Sequence, residues 1–203
     1  MPTFDPHTLS ATETYHLLTS LVVPRPIAWV GTRSRATDGD PVDNLAPHSY
    51  FNVISSDPPV VHVTSSGVKD TLRNMRATGV FTVSIVSREL MEAMNTTAAD
   101  APAGVSEFDL APITRAEAVT VPAPYVAEAP AVLECTVRSE LSIGTGHMVF
   151  GDVTRIQVRD ELWSDGRVDV GAMDPVGRLS GSQYTMGDTV LRLPRPSWDD
   201  LSP

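Results

Sequence analysis

Lysine and cysteine each occur once in this sequence. Of 15 basic residues among 203, Lys69 is the only lysine and the other 14 are arginines. Cys135 stands alone, which excludes an internal disulfide and a cysteine-rich metal site. It lies in the apolar run Ala131-Val132-Leu133-Glu134-Cys135-Thr136-Val137, a setting for a buried structural thiol rather than a nucleophile. Positive charge is scarce overall. A formal net charge of −10 and a pI near 4.8 leave no basic face for nucleic acid or an anionic membrane. Solubility is the simplest account of that acidity, and any bound phosphate must be held by local geometry against it. No apolar run approaches membrane-spanning length, and the N-terminus lacks the basic-then-apolar pattern of an export signal, so a cytoplasmic protein is expected. Nucleophile elbow, P-loop and His-Glu-x-x-His motifs are all missing, and no metal site is expected. Gly144-x-Gly146-x-x-x-x-Gly151 has the wrong spacing for a dinucleotide fingerprint, and a strand follows it where a helix should start.

The chain is long enough for one domain with a sizeable core, and 41% hydrophobic with 20% charged residues is ordinary for a globular protein. Residues 1–12 read as a loose arm, 13–190 as the domain and 191–203 as a tail without periodic pattern. A short helix is expected over Tyr15 to Leu21, starting near Thr12 or Thr14. Pro24-Arg25-Pro26 forces an extended entry to a strand from Ile27 to Thr32. A charged loop from Arg33 to Pro41 then leads to extended structure over Val42 to Ala46, a hairpin with a long turn. Val60 to Thr64 reads as a strand, Asp70 to Thr78 as a helix stopped by Gly79, and Val80 to Val86 as an alternating strand. Ser87 is placed to cap a helix of about ten residues. Most prolines and alanines fall between Thr96 and Pro130, a stretch of loops and short elements suited to covering a surface or a partner subunit. Ala131 to Ile143 and His147 to Val158 are the longest strand-like runs, joined by Gly144-Thr145-Gly146. Ser164-Asp165-Gly166-Arg167 is another tight turn. Many strands, few short helices and several hairpins predict a mainly β fold, an antiparallel barrel with peripheral helices; an open α+β sandwich is the alternative.

The most informative stretch runs from Asn44 to Asn74. Its end passes from a strand through Ser65-Ser66-Gly67-Val68-Lys69 into a helix start at Asp70 or Thr71. Free amides at such a start, beside two serines, a threonine and one ammonium group, make an anion site. The plainer reading is an ordinary cap in which Asp70 satisfies the helix and Lys69 is solvated. Upstream, Asn44 to Ser49 reads as a strand interrupted at Pro47, whose missing donor leaves neighbouring backbone groups for another partner. An irregular edge strand is the alternative there.

Asn44-Leu45-Ala46-Pro47-x-Ser49-Tyr50-Phe51, then Ser55-x-x-Pro58-Pro59, then Lys69-Asp70-Thr71-Leu72-x-Asn74 together resemble the flavin reductase-like, FMN-binding split-barrel family, in its flavoredoxin-like branch. The resemblance extends from about Tyr15 to Tyr184. It implies that Asn44, Leu45, Ala46, Pro47, His48 and Ser49 lie along a flavin ring and supply backbone hydrogen bonds to its polar edge. It assigns Ser65, Ser66, Lys69, Thr71 and Asn74 to the ribityl chain and phosphate, and places Arg25 near the cofactor. Arg178 and Tyr184 match a C-terminal pattern that approaches the flavin, although Ser180 replaces its first glycine. His147 corresponds to a histidine on the face where nicotinamide stacks; a hairpin-edge histidine without a ligand is the competing reading.

The resemblance implies an FMN-binding oxidoreductase, with FAD still open. Hydride would come from NAD(P)H, and electrons would pass to free flavin, a partner oxygenase or a small acceptor. It also implies a homodimer with sites near the interface. Since the flavin carries such chemistry, a missing catalytic triad does not argue against an oxidoreductase. A flavin-binding electron carrier or sensor without NAD(P)H turnover is the alternative from a different class.

Overall fold

Side-chain burial alternates along Val61 to Ser66: Val61, Val63 and Ser65 are buried, while His62, Thr64 and Ser66 are not. That period of two is the mark of a sheet laid against a core on one face. The computed structural model describes residues 1–35, 40–102, 104–187, 189–198 and 200–201. In chain order the first half comprises α1 (Ala11–Leu21), β1 (Arg25–Pro26), β2 (Ala28–Arg33), β3 (Asp43–His48), β4 (Phe51–Ser56), β5 (Pro59–Ser66), α2 (Asp70–Thr78) and β6 (Val80–Ile85). There follow α3 (Met91–Thr96), β7 (Arg115–Glu117), β8 (Pro124–Val126), β9 (Ala131–Ile143) and β10 (Gly146–Val158). The chain continues through β11 (Trp163–Ser164), β12 (Arg167–Val168), α4 (Val170–Met173), β13 (Val176–Arg178) and β14 (Tyr184–Met186). The Arg33 to Pro41 loop lies partly outside the described residues, because 36–39 are not among them.

Seven strands form one antiparallel sheet in the order β3-β2-β6-β9-β10-β5-β4. Its two edge strands, β3 and β4, are joined by only Ser49 and Tyr50. A two-residue link spans roughly 11 Å at most, so the sheet must curl until its edges meet. Among the described residues no ladder joins β3 to β4, and the fold is a split barrel of the expected mainly β class.

Both faces of this curled sheet are covered. One core cluster joins Val30, Val61, Val63, Phe81 and Val149 to Leu72 and Met75 of α2. The other joins Ile27, Trp29 and Leu45 to Met94 of α3 and to Phe108 and Val126, which lie in the proline-rich segment after Thr96. That segment therefore does cover a surface, and it belongs to this chain's own core. Glu134 pins it down: fully buried, its carboxylate accepts the amides of Val119 and Thr120, the Thr120 hydroxyl and Gln157 Nε2. Gly31 and Gly151 allow close interior approaches, since a Cβ at Gly31 would overlap the Pro124 carbonyl and one at Gly151 the Phe81 ring.

Helix α2 spans the expected residues and ends at Gly79, with φ 74°. Three local expectations need correction. Helix α1 starts earlier than Thr12, because Ser10 and Glu13 form a reciprocal capping box. The segment after Ser87 is a single 3₁₀ turn at Arg88–Leu90 followed by the six-residue α3, and the Ser87 side chain makes no capping bond. Strand β3 is not interrupted at Pro47; it runs through to His48, with Pro47 paired to Trp29. The final tail expectation falls partly outside the described residues, at 199 and 202–203.

Candidate functional site

A cleft of about 380 Å³ opens where the end of β3, the β3–β4 corner, the end of β5 and the start of α2 converge. Thr97 to Ala101 and Glu107 form its far wall. Nine of the expected residues line it: Asn44, Ala46, Pro47, His48, Ser49, Ser65, Ser66, Lys69 and Thr71.

The β3 wall explains its own proline. Leu45 donates its amide to Glu107 Oε2 at 3.0 Å, so its main chain faces away from β2. Main-chain direction alternates along a strand, so Pro47 also faces outward and its missing N–H costs no ladder bond. The same alternation turns the carbonyls of Leu45 and Pro47 toward the sheet edge. Glu107 is only 7% exposed. Burial pushes its carboxyl above the usual range, the amides of Leu45 and of Glu107 itself oppose this, and nearby Asp70 adds to it.

At the other end, Ser65 donates its hydroxyl to the Gly67 carbonyl at 2.8 Å, and the Gly67 amide reaches the Thr145 carbonyl. Gly67 has φ 89°, so this turn requires the freedom of glycine. Lys69 then occupies the cap position of α2 with extended backbone and no side-chain capping bond. The expected Asp70 cap is absent: Asp70 instead pairs with Arg73 one turn on. The first amides of α2 are therefore left without a side-chain acceptor, beside an ammonium group. Lys69 Nζ lies 3.1 Å from Asp100 Oδ1 on the far wall. Below it, Asn44 Nδ2 donates to Thr71 Oγ1 at 3.0 Å within the buried wall.

His48 sits between the two ends, and its Nε2 is buried without a hydrogen-bond partner. Burial lowers its pKa to about 4; a backbone bond to Thr64 opposes the shift, and the charge of Lys69 adds to it. The ring is therefore neutral at neutral pH. An unpaired buried nitrogen is costly and marks a place where a further polar group belongs.

The remaining expected residues lie elsewhere. The Leu45 side chain is in the core, so only its backbone reaches this edge. Asn74 is buried and donates to Thr32 Oγ1 at 3.1 Å. Arg25 is buried with its guanidinium given to the carbonyls of Thr19, Val22 and Leu179, and its Nε donates to Oγ of the cleft residue Ser49 at 3.4 Å. It lines a second, largely apolar cleft of about 550 Å³ that shares Ser49, Tyr50 and Thr64 with the first. Arg178 stacks on the Tyr184 ring and bonds its hydroxyl, while that hydroxyl reaches Asn95, outside the cleft. His147 is not brought to the cleft either: its Nδ1 meets Ser142 Oγ at 2.8 Å and Glu140 at 3.4 Å. Serine and carboxylate share one ring nitrogen there, so the trio cannot relay a proton as a catalytic triad does.

Glu107, Asp100 and Thr97 are the wall residues that sequence reasoning missed. They come from the segment after Thr96, where no periodic pattern indicates which residue folds back onto β3. The assembled cleft suits an elongated ligand, with an anion at the α2 end, hydroxyls near Thr71 and Glu107, and hydrogen-bonding edge groups against β3. Burial pushes the Cys135 thiol up to about 12, in keeping with a structural role.

The chain is similar to known proteins over most of its length. An uncharacterised protein of Deinococcus radiodurans is 41% identical over 88% of this chain and 82% of its own length. Among solved structures, nitrilotriacetate monooxygenase component B from Bacillus cereus superposes with a TM-score of 0.89 at 32% identity, covering 95% of this chain and 98% of that one. The 2-nitrobenzoate 2-nitroreductase NbaA of Pseudomonas fluorescens gives 0.88 at 30% identity, covering 97% and 98%. The flavin reductase like domain matches residues 20–171, and the chain belongs to that family.

Proposed function

We propose that this protein is an FMN-dependent oxidoreductase that takes hydride from NAD(P)H and passes electrons to free flavin, a partner oxygenase or a small acceptor. The observation that carries this reading is the uncapped start of α2 beside Lys69, opening into a cleft walled by the β3 edge. The residues present fit FMN. Lys69 and the first α2 amides suit a terminal phosphate, Thr71 and Glu107 suit hydroxyls, and the Leu45 and Pro47 carbonyls with His48 suit the donors of a ring edge. FAD remains an alternative occupant. When bound, the flavin would supply the two-electron chemistry, while the chain binds, orients and shields it.

The two solved relatives correspond to two of these three acceptors: one is a monooxygenase component and the other a nitroreductase. In this reading the flavin-binding unit spans 13–190 and works in the cytoplasm. Two copies pair through the apolar face around the second cleft, where Leu18, Val22, Leu141 and Ile143 are exposed. The bond of His147 Nδ1 to Ser142, away from the cleft lining, supports one competing reading, an electron carrier without NAD(P)H turnover. Steady-state oxidation of NADH and NADPH with added FMN tests the choice. Turnover supports the oxidoreductase; a flavin-loaded protein inert to both nucleotides sinks it in favour of the carrier.

A further inference from the structure

A carboxylate can accept about four hydrogen bonds. Glu107 is buried in the cleft wall, yet its neighbours supply few donors: the Leu45 amide at 3.0 Å and the amide of Glu107 itself. Its oxygens are not among the buried side-chain atoms without partners, and the residue lines the cleft. The remaining acceptor capacity therefore faces the ligand space. A charge kept so dry, with donors on one side only, is typical of a group that receives part of its coordination from a ligand.

We propose that Glu107 is a specificity-determining residue of this cleft, accepting hydrogen bonds from the hydroxyls of a ligand's polyhydroxylated chain. This rests on the flavin reading above. It adds which wall group selects for the chain between ring and phosphate. Lys69 and Arg73 are the cations near this wall, Asp70 and Asp100 the further anions, and His48 is neutral across the cleft. Lys69 is paired with Asp100 and Arg73 with Asp70, so these groups bring no surplus cation for Glu107. Hydroxyl donors from a ligand meet the need without adding charge.

The test compares riboflavin, which carries the polyhydroxylated chain, with lumiflavin, which has the ring alone. Glu107→Gln keeps a carbonyl oxygen for the Leu45 amide and replaces the second acceptor with a donor. Riboflavin affinity should fall about tenfold and lumiflavin affinity should not change, as expected for losing a hydrogen bond to a charged group. Equal loss for both ligands would show a merely structural role through β3, and no loss for riboflavin would also overturn the proposal. In the wild-type protein, riboflavin affinity should weaken as acidification protonates Glu107, and a flat profile contradicts the idea without any variant. If the wild type binds neither flavin, the flavin reading itself fails. Ribitol 5-phosphate then decides separately: equal affinity in wild type and Glu107→Gln rejects the role of Glu107, and weaker binding by the variant supports it.

Discussion

The ammonium of Lys69 lies 3.1 Å from the carboxylate of Asp100, across the mouth of the cleft. The lone lysine of the chain is thus occupied by an internal anion where a ligand phosphate is proposed to bind. Both side chains are largely exposed, so the pair is screened and contributes little to stability. Its effect is on competition. Asp100→Asn should tighten FMN about two- to fivefold at low salt, the range of an exposed ion pair, and the gain should shrink as salt rises. Lys69→Ala should weaken FMN about tenfold. Riboflavin, which lacks the phosphate, should respond to neither change. Fluorescence titration of both ligands checks this, and an equal response from riboflavin would remove the phosphate from this corner.

Two buried groups contribute to the acid stability beside Glu140, whose carboxyl the Arg76 guanidinium lowers to about 2, while the raised carboxyl of Glu107 acts in the opposite sense. His48 has its pKa lowered to about 4 from an ordinary 6.5, chiefly by burial. The unfolded chain therefore binds more protons between those values, and stability should fall as pH drops from about 6.5 to about 4. Burial raises the Glu134 carboxyl, but hydrogen bonds from Thr120, Val119 and Gln157 outweigh it and hold it below its ordinary 4.5. Its contribution is full above the unfolded value and is lost as pH falls below that. Urea unfolding across pH 8 to 3 should show two successive losses. His48→Gln should reduce the first and Glu134→Gln should reduce the second, leaving the share of Glu140, and the latter also costs about 2 kcal/mol at pH 7 because donors there would face the new amide. Unchanged slopes in these variants would refute the assignment.

Legibility followed the range of the interaction. The stop of helix α2 at Gly79 could be read because a left-handed glycine is decided within a few residues, whereas the Asp70 cap expected at its start is not made. The long β9–β10 hairpin was equally plain. The Ser10–Glu13 capping box is just as local, but Thr12 and Thr14 offer competing hydroxyls beside it. Pro47 failed for a different reason: whether a proline breaks a strand depends on which way its main chain faces, and β3 is a sheet edge. Glu107 could not have been found, since the amide it binds is 62 residues away. The position of His147 in its motif likewise said nothing about register. It lies opposite Ser142 on β9 and Ser65 on β5, and the Ser142 hydroxyl takes up its Nδ1.

The second cleft yields the last prediction. Its lining is mostly apolar, built from α1, β4, β5 and the tip of the β9–β10 hairpin. Ile143 is 69% exposed, Val22 62%, Leu18 56% and Leu141 48%, an adjoining apolar surface of the kind that marks an interaction site. A second copy of this chain is the proposed cover, which would bring the Ser49-Tyr50 corner, shared by both clefts, to the subunit boundary. Replacing Leu141 and Ile143 together with Asp adds two like charges per subunit without touching either core cluster. The double variant should keep its unfolding midpoint within a few degrees and run as a monomer in light scattering. Flavin affinity should fall in the same variant if the boundary completes the site. A wild-type protein that is already monomeric at tens of micromolar would leave this face without a partner copy and defeat the prediction.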